Sequence, residues 1–157
     1  MEPGVEEEMG FTYPMNIEQM KDMFESAFES EDRIYLLITF SGEKAGQTGA
    51  FLELEDARAG IWIYVKPEMQ GKGIGTRATE MIIDYVFNNY PVEKIDGNYL
   101  EGNEGSRKMQ EKAGFKEETR LREHVYHQGK YKDLIHTSIL REEWEARKKG
   151  FSRTEKE

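Results

Sequence analysis

At 157 residues, with 31 acidic against 22 basic residues and a net charge of −9, the chain has the size of one domain with a real hydrophobic core, and its charge disfavours broad contact with nucleic acid or anionic lipid. There is no cysteine, which excludes disulfides, thiolate metal sites and a cysteine nucleophile. Charged residues reach 34% and mean hydropathy is −0.81, but 11% aromatic residues argue for a folded body; no apolar run is long enough to cross a bilayer, so a cytoplasmic protein is expected.

Residues 1–13 carry Glu6, Glu7 and Glu8 without periodicity and read as a flexible acidic leader. Ile17, Met20, Phe24 and Phe28 then recur at helical spacing, with Asn16 as N-cap and Gln19 as its capping-box partner. A β-branched and aromatic run over 34–40 ends at Ser41-Gly42; 46–54 follows, and after a turn over 55–60 a third run, 61–65, is stopped by Pro67. These three strands predict an antiparallel meander.

Ile74, Ala78, Ile82, Tyr85 and Val86 mark one face of a long helix that ends ahead of Pro91. Residues 94–100 form the next strand, which follows a helical crossover and so lies parallel to the third. Gly102-Asn103-Glu104-Gly105 opens a short helix bearing Met109 and Ala113, with Gly114 at its left-handed C-cap. Strands over 116–127 and 130–140 form a hairpin across Gln128-Gly129. From Arg141 the chain is charged, with Trp144 its only large apolar anchor, and 150–157 is expected to be disordered. The fold class is α+β, a mixed sheet with one parallel crossover; 1–13 is the leader, 14–145 the domain and 146–157 a charged tail.

Gln70-Gly71-Lys72-Gly73-Ile74-Gly75-Thr76 joins the third strand to the long helix. Glycines suit a chain that curls tightly with several N–H groups pointing one way, because those backbone angles clash with a Cβ. The helix adds unpaired first-turn N–H groups and the positive end of its dipole, so the segment reads as a socket for phosphate or pyrophosphate, with Lys66, Lys72 and Arg77 as local positive charge. A dinucleotide fingerprint fits the spacing poorly, and the Lys-Ser/Thr pair of a P-loop is missing.

The pattern Val65-x-Pro67-x-x-Gln70-Gly71-x-Gly73-Ile74-Gly75 resembles the acetyl-CoA pyrophosphate loop of the GNAT superfamily of N-acetyltransferases, where Gln or Arg begins Q/R-x-x-G-x-G/A. The order of elements over 16–144 is similar to the GNAT acyl-CoA N-acyltransferase fold. The stretch Asn103-Glu104-Gly105-Ser106, continuing to Glu111-Lys112-Ala113-Gly114-Phe115, resembles the N-x-x-S…E-K-x-G-F signature of the ribosomal-protein N-terminal alanine acetyltransferase branch. Gly129-Lys130-Tyr131-Lys132-Asp133 and Leu140-Arg141-Glu142-Glu143-Trp144 resemble that branch's closing segment. Two departures stand out. Members usually begin with a strand and helix ahead of the one at Asn16, so that sheet edge is missing, rebuilt by the leader or cut from this chain; and Gln110 stands where many members carry a tyrosine general acid.

The resemblance implies acetyl-CoA as co-substrate, no metal, and direct attack of an amine on the thioester in a ternary complex. Gln70, Gly71, Lys72, Gly73, Ile74, Gly75 and Thr76 would take the pyrophosphate. Ile63 and Val65 would pair with the pantetheine amides, and an N–H near Val65 would face the developing oxyanion. Ser106 would donate to the leaving thiolate, and Asn103 would bond the cofactor or fix the bend after the strand. Glu123 is the candidate base by analogy, with Glu101 and His124 competing. A neutral attacking amine costs about 4.6 kcal/mol at pH 7 for a lysine-like group but only about 1 kcal/mol for an α-amine. His127 and His136 lack companion ligands, and Tyr126 and Tyr131 read as core or pocket-wall residues.

The implied function is acetyl transfer to a primary amine, either a peptide N-terminal α-amine or a small amine or polyamine. The alternative is a coenzyme-binding sensor or partner-binding module without catalysis, and a nucleotide-binding redox domain stands third. A monomer and a homodimer through the terminal strands are both compatible with the pattern.

Overall fold

The computed structural model describes residues 29–154 and the single positions 18, 22, 25 and 26, with side chains as far as Gly150. β1 (Arg33–Phe40), β2 (Glu43–Glu53) and β3 (Arg58–Val65) form the meander, and α1 (Ile74–Asn89) crosses over to β4 (Lys94–Leu100). Then come α2 (Glu104–Ala113), β5 (Lys116–His127), β6 (Lys130–Leu140) and α3 (Arg141–Thr154). Among the described residues there is one six-stranded sheet in the order β1-β2-β3-β4-β6-β5, antiparallel except between β3 and β4.

The hairpins are as tight as their turn residues allow. Ser41 (φ 51°) and Gly42 (φ 82°), like Gln128 (φ 51°) and Gly129 (φ 77°), take the left-handed pair of angles whose twist matches that of the flanking strands. With a two-residue turn, β2 begins at Glu43, ahead of the expected 46. β3 likewise begins at Arg58 rather than 61, because Ala57 (φ 51°) closes a single 3-10 turn over Leu54–Asp56.

α1 lies on one face of the sheet. Its Ile82, Ile83 and Val86 are buried against Ala50, Ile95 and Ile139, each burial being worth about 1.5–3 kcal/mol. α3 locks this layer from the far end: Trp144 packs on Phe87 with ring centroids 5.0 Å apart, and its Nε1 donates to Asp84 Oδ1 at 2.5 Å. The Arg141 guanidinium donates to the carbonyls of Phe87, Tyr90 and Val92 at 2.8 to 2.9 Å, serving acceptors at the end of α1 and in its following loop, where Tyr90 also accepts from Val92 N–H at 2.8 Å.

The expectation of disorder from residue 150 is corrected: α3 continues to Thr154, and the tail boundary at 145 falls inside it. Glu142 and Glu143 in its first turn suit the helix dipole, Trp144 anchors it, and Arg147 donates to the Lys112 carbonyl at 2.8 Å. Once that turn is fixed, each added residue costs little. The helix expected from Asn16 lies outside the described residues except at positions 18, 22, 25 and 26, which are helical. No helix among the described residues is long and apolar enough to cross a membrane.

Candidate active site

β3 and β4 pair at only three rungs, Arg58↔Lys94, Ala59↔Ile95 and Gly60↔Asp96. Beyond them β3 stays with β2 as far as Val65, and β4 stays with β6 as far as Leu100, so the two parallel strands diverge and a gap opens inside the sheet. Lys66 N–H donates to Ala45 on the β2 side at 2.8 Å. Because successive residues of a strand point their amides to opposite sides, the N–H and C=O groups of Ile63 and Val65 face the gap. An unpaired strand edge is a template for an extended ligand carrying amides of its own.

The glycine turn sits at the mouth of this gap. Gly71 (φ 73°) and Gly73 (φ 78°) are left-handed, and a Cβ on either would meet nothing within 4 Å, so backbone angle rather than crowding calls for glycine. Gly73 is the N-cap of α1 and offers no side chain, which leaves the N–H groups of Ile74, Gly75 and Thr76 without helical acceptors. Ile74 is buried with Ile38, Val65 and Ala78 and pins the turn to the sheet. Gln70 folds back so that its Nε2 donates to the Val65 carbonyl at 3.1 Å. Lys72 is exposed, and Arg77 leans toward Glu80 at 3.3 Å.

α2 lies alongside. A Cβ on Gly75 would be 2.8 Å from Met109 Sδ, so the first turn of α1 and the body of α2 lie close together, and a side chain at 75 would make Met109 shift. Asn103 caps α2, its Oδ1 accepting from Ser106 N–H at 3.0 Å. Gln110, 8% exposed, donates through Nε2 to the Asn98 carbonyl at 2.9 Å and to Ser106 Oγ at 3.3 Å, while its Oε1 accepts from Thr137 Oγ1 at 2.5 Å. Gly97 makes room for this group, since a Cβ there would stand 3.0 Å from Thr137 Oγ1 and 3.2 Å from Gln110 Oε1.

Glu123 occupies a bulge. β5 pairs Leu121 with Leu134 and Val125 with Lys132, so Arg122, Glu123 and His124 all stand opposite Asp133, and Glu123 takes φ 49°. Asp133 holds the bulge: its Oδ1 accepts from Glu123 N–H at 2.9 Å and its Oδ2 lies 3.1 Å from Arg120 Nη1. Those bonds, the Glu123 amide first, hold the Asp133 carboxyl below the usual carboxylate range. Arg120 also bonds Glu101 Oε1 at 3.2 Å, and Glu101 N–H donates to the Asp133 carbonyl at 3.0 Å. Glu101 and Glu123 therefore share one corner, at the end of β4 just ahead of Asn103, with the Glu123 and His124 side chains exposed.

Tyr126 and Tyr131 do not line the core. They meet edge to face at 5.1 Å near the hairpin tip, 54% and 66% exposed, because no element covers that end of β5 and β6 among the described residues. His136 sits elsewhere, 3.4 Å from Asp96, which Lys94 (3.7 Å) and Arg58 (3.9 Å) also approach. Asp96 Oδ1 is buried without an aligned hydrogen bond, and Lys94 and Arg58 lie close enough to compensate its charge. Among the described residues no group of three or more His, Asp or Glu side chains is placed to hold a metal ion. Sequence reasoning missed the parts played by Gln110, Thr137 and Asp133. The signals were there: Gln110 lies one turn beyond Ser106 on the same helix face, and Asp133 closes the Gly129–Asp133 stretch.

A mixed sheet that opens between its parallel strands, beside a glycine turn capping a helix, defines the acyl-CoA N-acyltransferase class. The model of the acetyltransferase (GNAT) domain matches residues 2–116, and the chain belongs to that family. It is 35% identical over 97 residues to the Bacillus subtilis (strain 168) protein named "Putative ribosomal N-acetyltransferase YdaF", a match covering 62% of this chain and 53% of that one. The chain thus spans about half the length of that relative. Spermidine N(1)-acetyltransferase of Escherichia coli (strain K12) is 27% identical over 133 residues, 83% of this chain and 71% of the relative. Among solved structures, spermidine N-acetyltransferase from Vibrio cholerae in complex with CoA and spermine superposes with a TM-score of 0.82 at 19% identity, over 89% of this chain and 84% of that one, a likeness of fold.

Proposed function

We propose that the protein is an N-acetyltransferase that moves the acetyl group of acetyl-CoA directly onto a primary amine, the acceptor being a small amine or polyamine or a peptide N-terminal α-amine. The observation that carries this reading is the gap beyond the Gly60↔Asp96 rung, with the edge of Ile63 and Val65, paired to no strand there, on one wall and the glycine turn at its mouth. The family supports acetyl-CoA as co-substrate, and the relatives named for spermidine acetylation support a small amine. A net charge of −9 favours a cationic acceptor, and we place the activity in the cytoplasm.

On this reading 14–145 is the catalytic unit. The amides of Gln70, Gly71, Lys72, Gly73, Ile74, Gly75 and Thr76 hold the pyrophosphate, and Ile63 and Val65 pair with the amides of the pantetheine arm. The Val65 N–H faces the carbonyl oxygen on which negative charge develops. Acetyl-CoA supplies the thioester: a C–N bond forms as the C–S bond breaks, and the bonding pair leaves on sulfur. Glu123 takes the proton that the attacking nitrogen sheds, directly or through water, and the Ser106 hydroxyl donates to the departing thiolate. Asn103 keeps Ser106 at the head of α2.

The test is thiol release from acetyl-CoA across a panel of α-amino peptides, polyamines and small monoamines. Release with at least one class is the expected outcome. Binding of the coenzyme without release for every amine would favour a second reading, a coenzyme-binding sensor, to which one observation points: Gln110, at the tyrosine position of the resembling enzymes, cannot protonate a thiolate.

A further inference from the structure

We infer that Gln110 is a positioning residue: it fixes the Ser106 hydroxyl as a hydrogen-bond donor aimed into the gap between β3 and β4. The chemistry of this inference rests on the acetyl-transfer reading, while its geometry stands independently.

The orientation of the Gln110 amide is set by an atom that can only accept. The Asn98 carbonyl lies 2.9 Å from Nε2, so the NH2 end must face it; turning the amide over would set two acceptor oxygens against each other. Thr137 then donates to Oε1 at 2.5 Å. One Nε2 hydrogen goes to Asn98 and the second is directed at Ser106 Oγ, 3.3 Å away. An amide nitrogen has no lone pair to offer, so in this contact Ser106 accepts. Its own hydrogen must therefore point elsewhere, and among the described residues it has no protein acceptor.

The direction left open is the gap. Arg141 N–H donates to the Glu93 carbonyl and Glu101 N–H to the Asp133 carbonyl, so odd-numbered residues of β4 face β6 and the Asn98 carbonyl faces the gap. Gln110 thus sits on the β4 wall of the gap and carries Ser106 Oγ with it. The Ser106 backbone is pinned by Asn103 and its oxygen by Gln110, so the half-exposed hydroxyl keeps a single rotor, on the gap side of β4. A donor held in place before charge develops loses no energy to reorganisation when it does.

The test reads kcat and KM separately by thiol release, and the Gln110 side-chain amide by NMR. In Ser106→Ala one of the two Nε2 protons shifts, while the other, held by Asn98, stays. Ser106→Ala and Gln110→Glu each lower kcat about 10- to 100-fold, the range of a hydrogen bond to a charged group, with KM for acetyl-CoA within about twofold. The introduced carboxylate accepts the Ser106 proton and turns it inward. Because the two residues act as one unit, the double variant falls no further than the weaker single. Should Gln110→Glu fail to fold, Gln110→Met fills a similar volume and frees the Asn98 carbonyl to capture the Ser106 proton, with the same expected loss. Nε2 protons indifferent to Ser106→Ala, a folded Gln110 variant with wild-type kcat, or losses that multiply in the double variant would each overturn the inference. A wild-type protein from which none of the amines elicits thiol release sinks the acetyl-transfer reading instead, and the NMR result alone then decides the direction of the hydrogen bond.

Discussion

Gln70 and Gln110 perform the same task on opposite walls of one opening: Nε2 of Gln70 donates to the Val65 carbonyl at 3.1 Å, and Nε2 of Gln110 donates to the Asn98 carbonyl at 2.9 Å. Both carbonyls belong to strands whose parallel pairing stops three rungs in, and both face the side where a partner strand would have bonded them. A glutamine at each wall satisfies one gap-facing carbonyl there, and leaves the N–H groups and the Ile63 carbonyl for a ligand.

The two glutamines should separate in kinetics. Gln70→Leu removes a group of the proposed coenzyme loop and leaves the Val65 carbonyl bare, so KM for acetyl-CoA rises several-fold with kcat little changed, whereas substitution of Gln110 lowers kcat. Steady-state rates at varied acetyl-CoA check this.

At the turn, Gly73→Ala must hold a Cβ at φ 78°, which costs about 1–2 kcal/mol. Calorimetric affinity for CoA should fall with it. Gly46→Ala is a different case: its Cβ would meet the Tyr64 carbonyl oxygen at 2.0 Å, so urea denaturation should show a large loss of stability before any binding is measured.

Arg141→Met tests the far end of the molecule. It strands the Phe87 and Val92 carbonyls, and takes one of two donors from that of Tyr90, around a guanidinium whose side chain is only 22% exposed, and should cost about 2–4 kcal/mol of stability in urea. Affinity for CoA should be unchanged, since α1 begins, rather than ends, at the proposed coenzyme loop.

Acid should open the Glu123 bulge. The Asp133 carboxyl is held below its usual range by the Glu123 N–H and Arg120, so its contribution is complete above the unfolded value of about 3.9 and is lost as pH falls through the lower folded value. The Glu123 amide resonance should titrate with that depressed midpoint. In Asp133→Asn, followed by the same NMR titration, that step should disappear.

Much of this architecture was legible because it rests on local chemistry. Pro67, Gly73, Asn103 and Gly114 punctuate strand and helix by rules that need no tertiary partner, and the parallel crossover follows from a helix between two strands. What was not legible depends on partners far along the chain. Gln110 cannot be recognised as a satisfied hub without Asn98 and Thr137, and Glu123 cannot be seen to bulge until Asp133 is across from it. The extension of α3 beyond Gly150 is similar: its composition argues for disorder, and the docking of Trp144 on Phe87 overrides it. For Tyr126 and Tyr131, read as core or pocket-wall residues, the core half of the reading fails: the two pack against each other and stand 54% and 66% exposed.

The most direct measurement is a crystal structure of the protein with CoA. It should show the diphosphate within hydrogen-bonding distance of the amides between Gly71 and Thr76, and the pantetheine arm lying along Ile63 and Val65 with its thiol beside Ser106. A coenzyme bound away from the glycine turn, or strands β3 and β4 closed on each other beyond Gly60 and Asp96, would contradict the account.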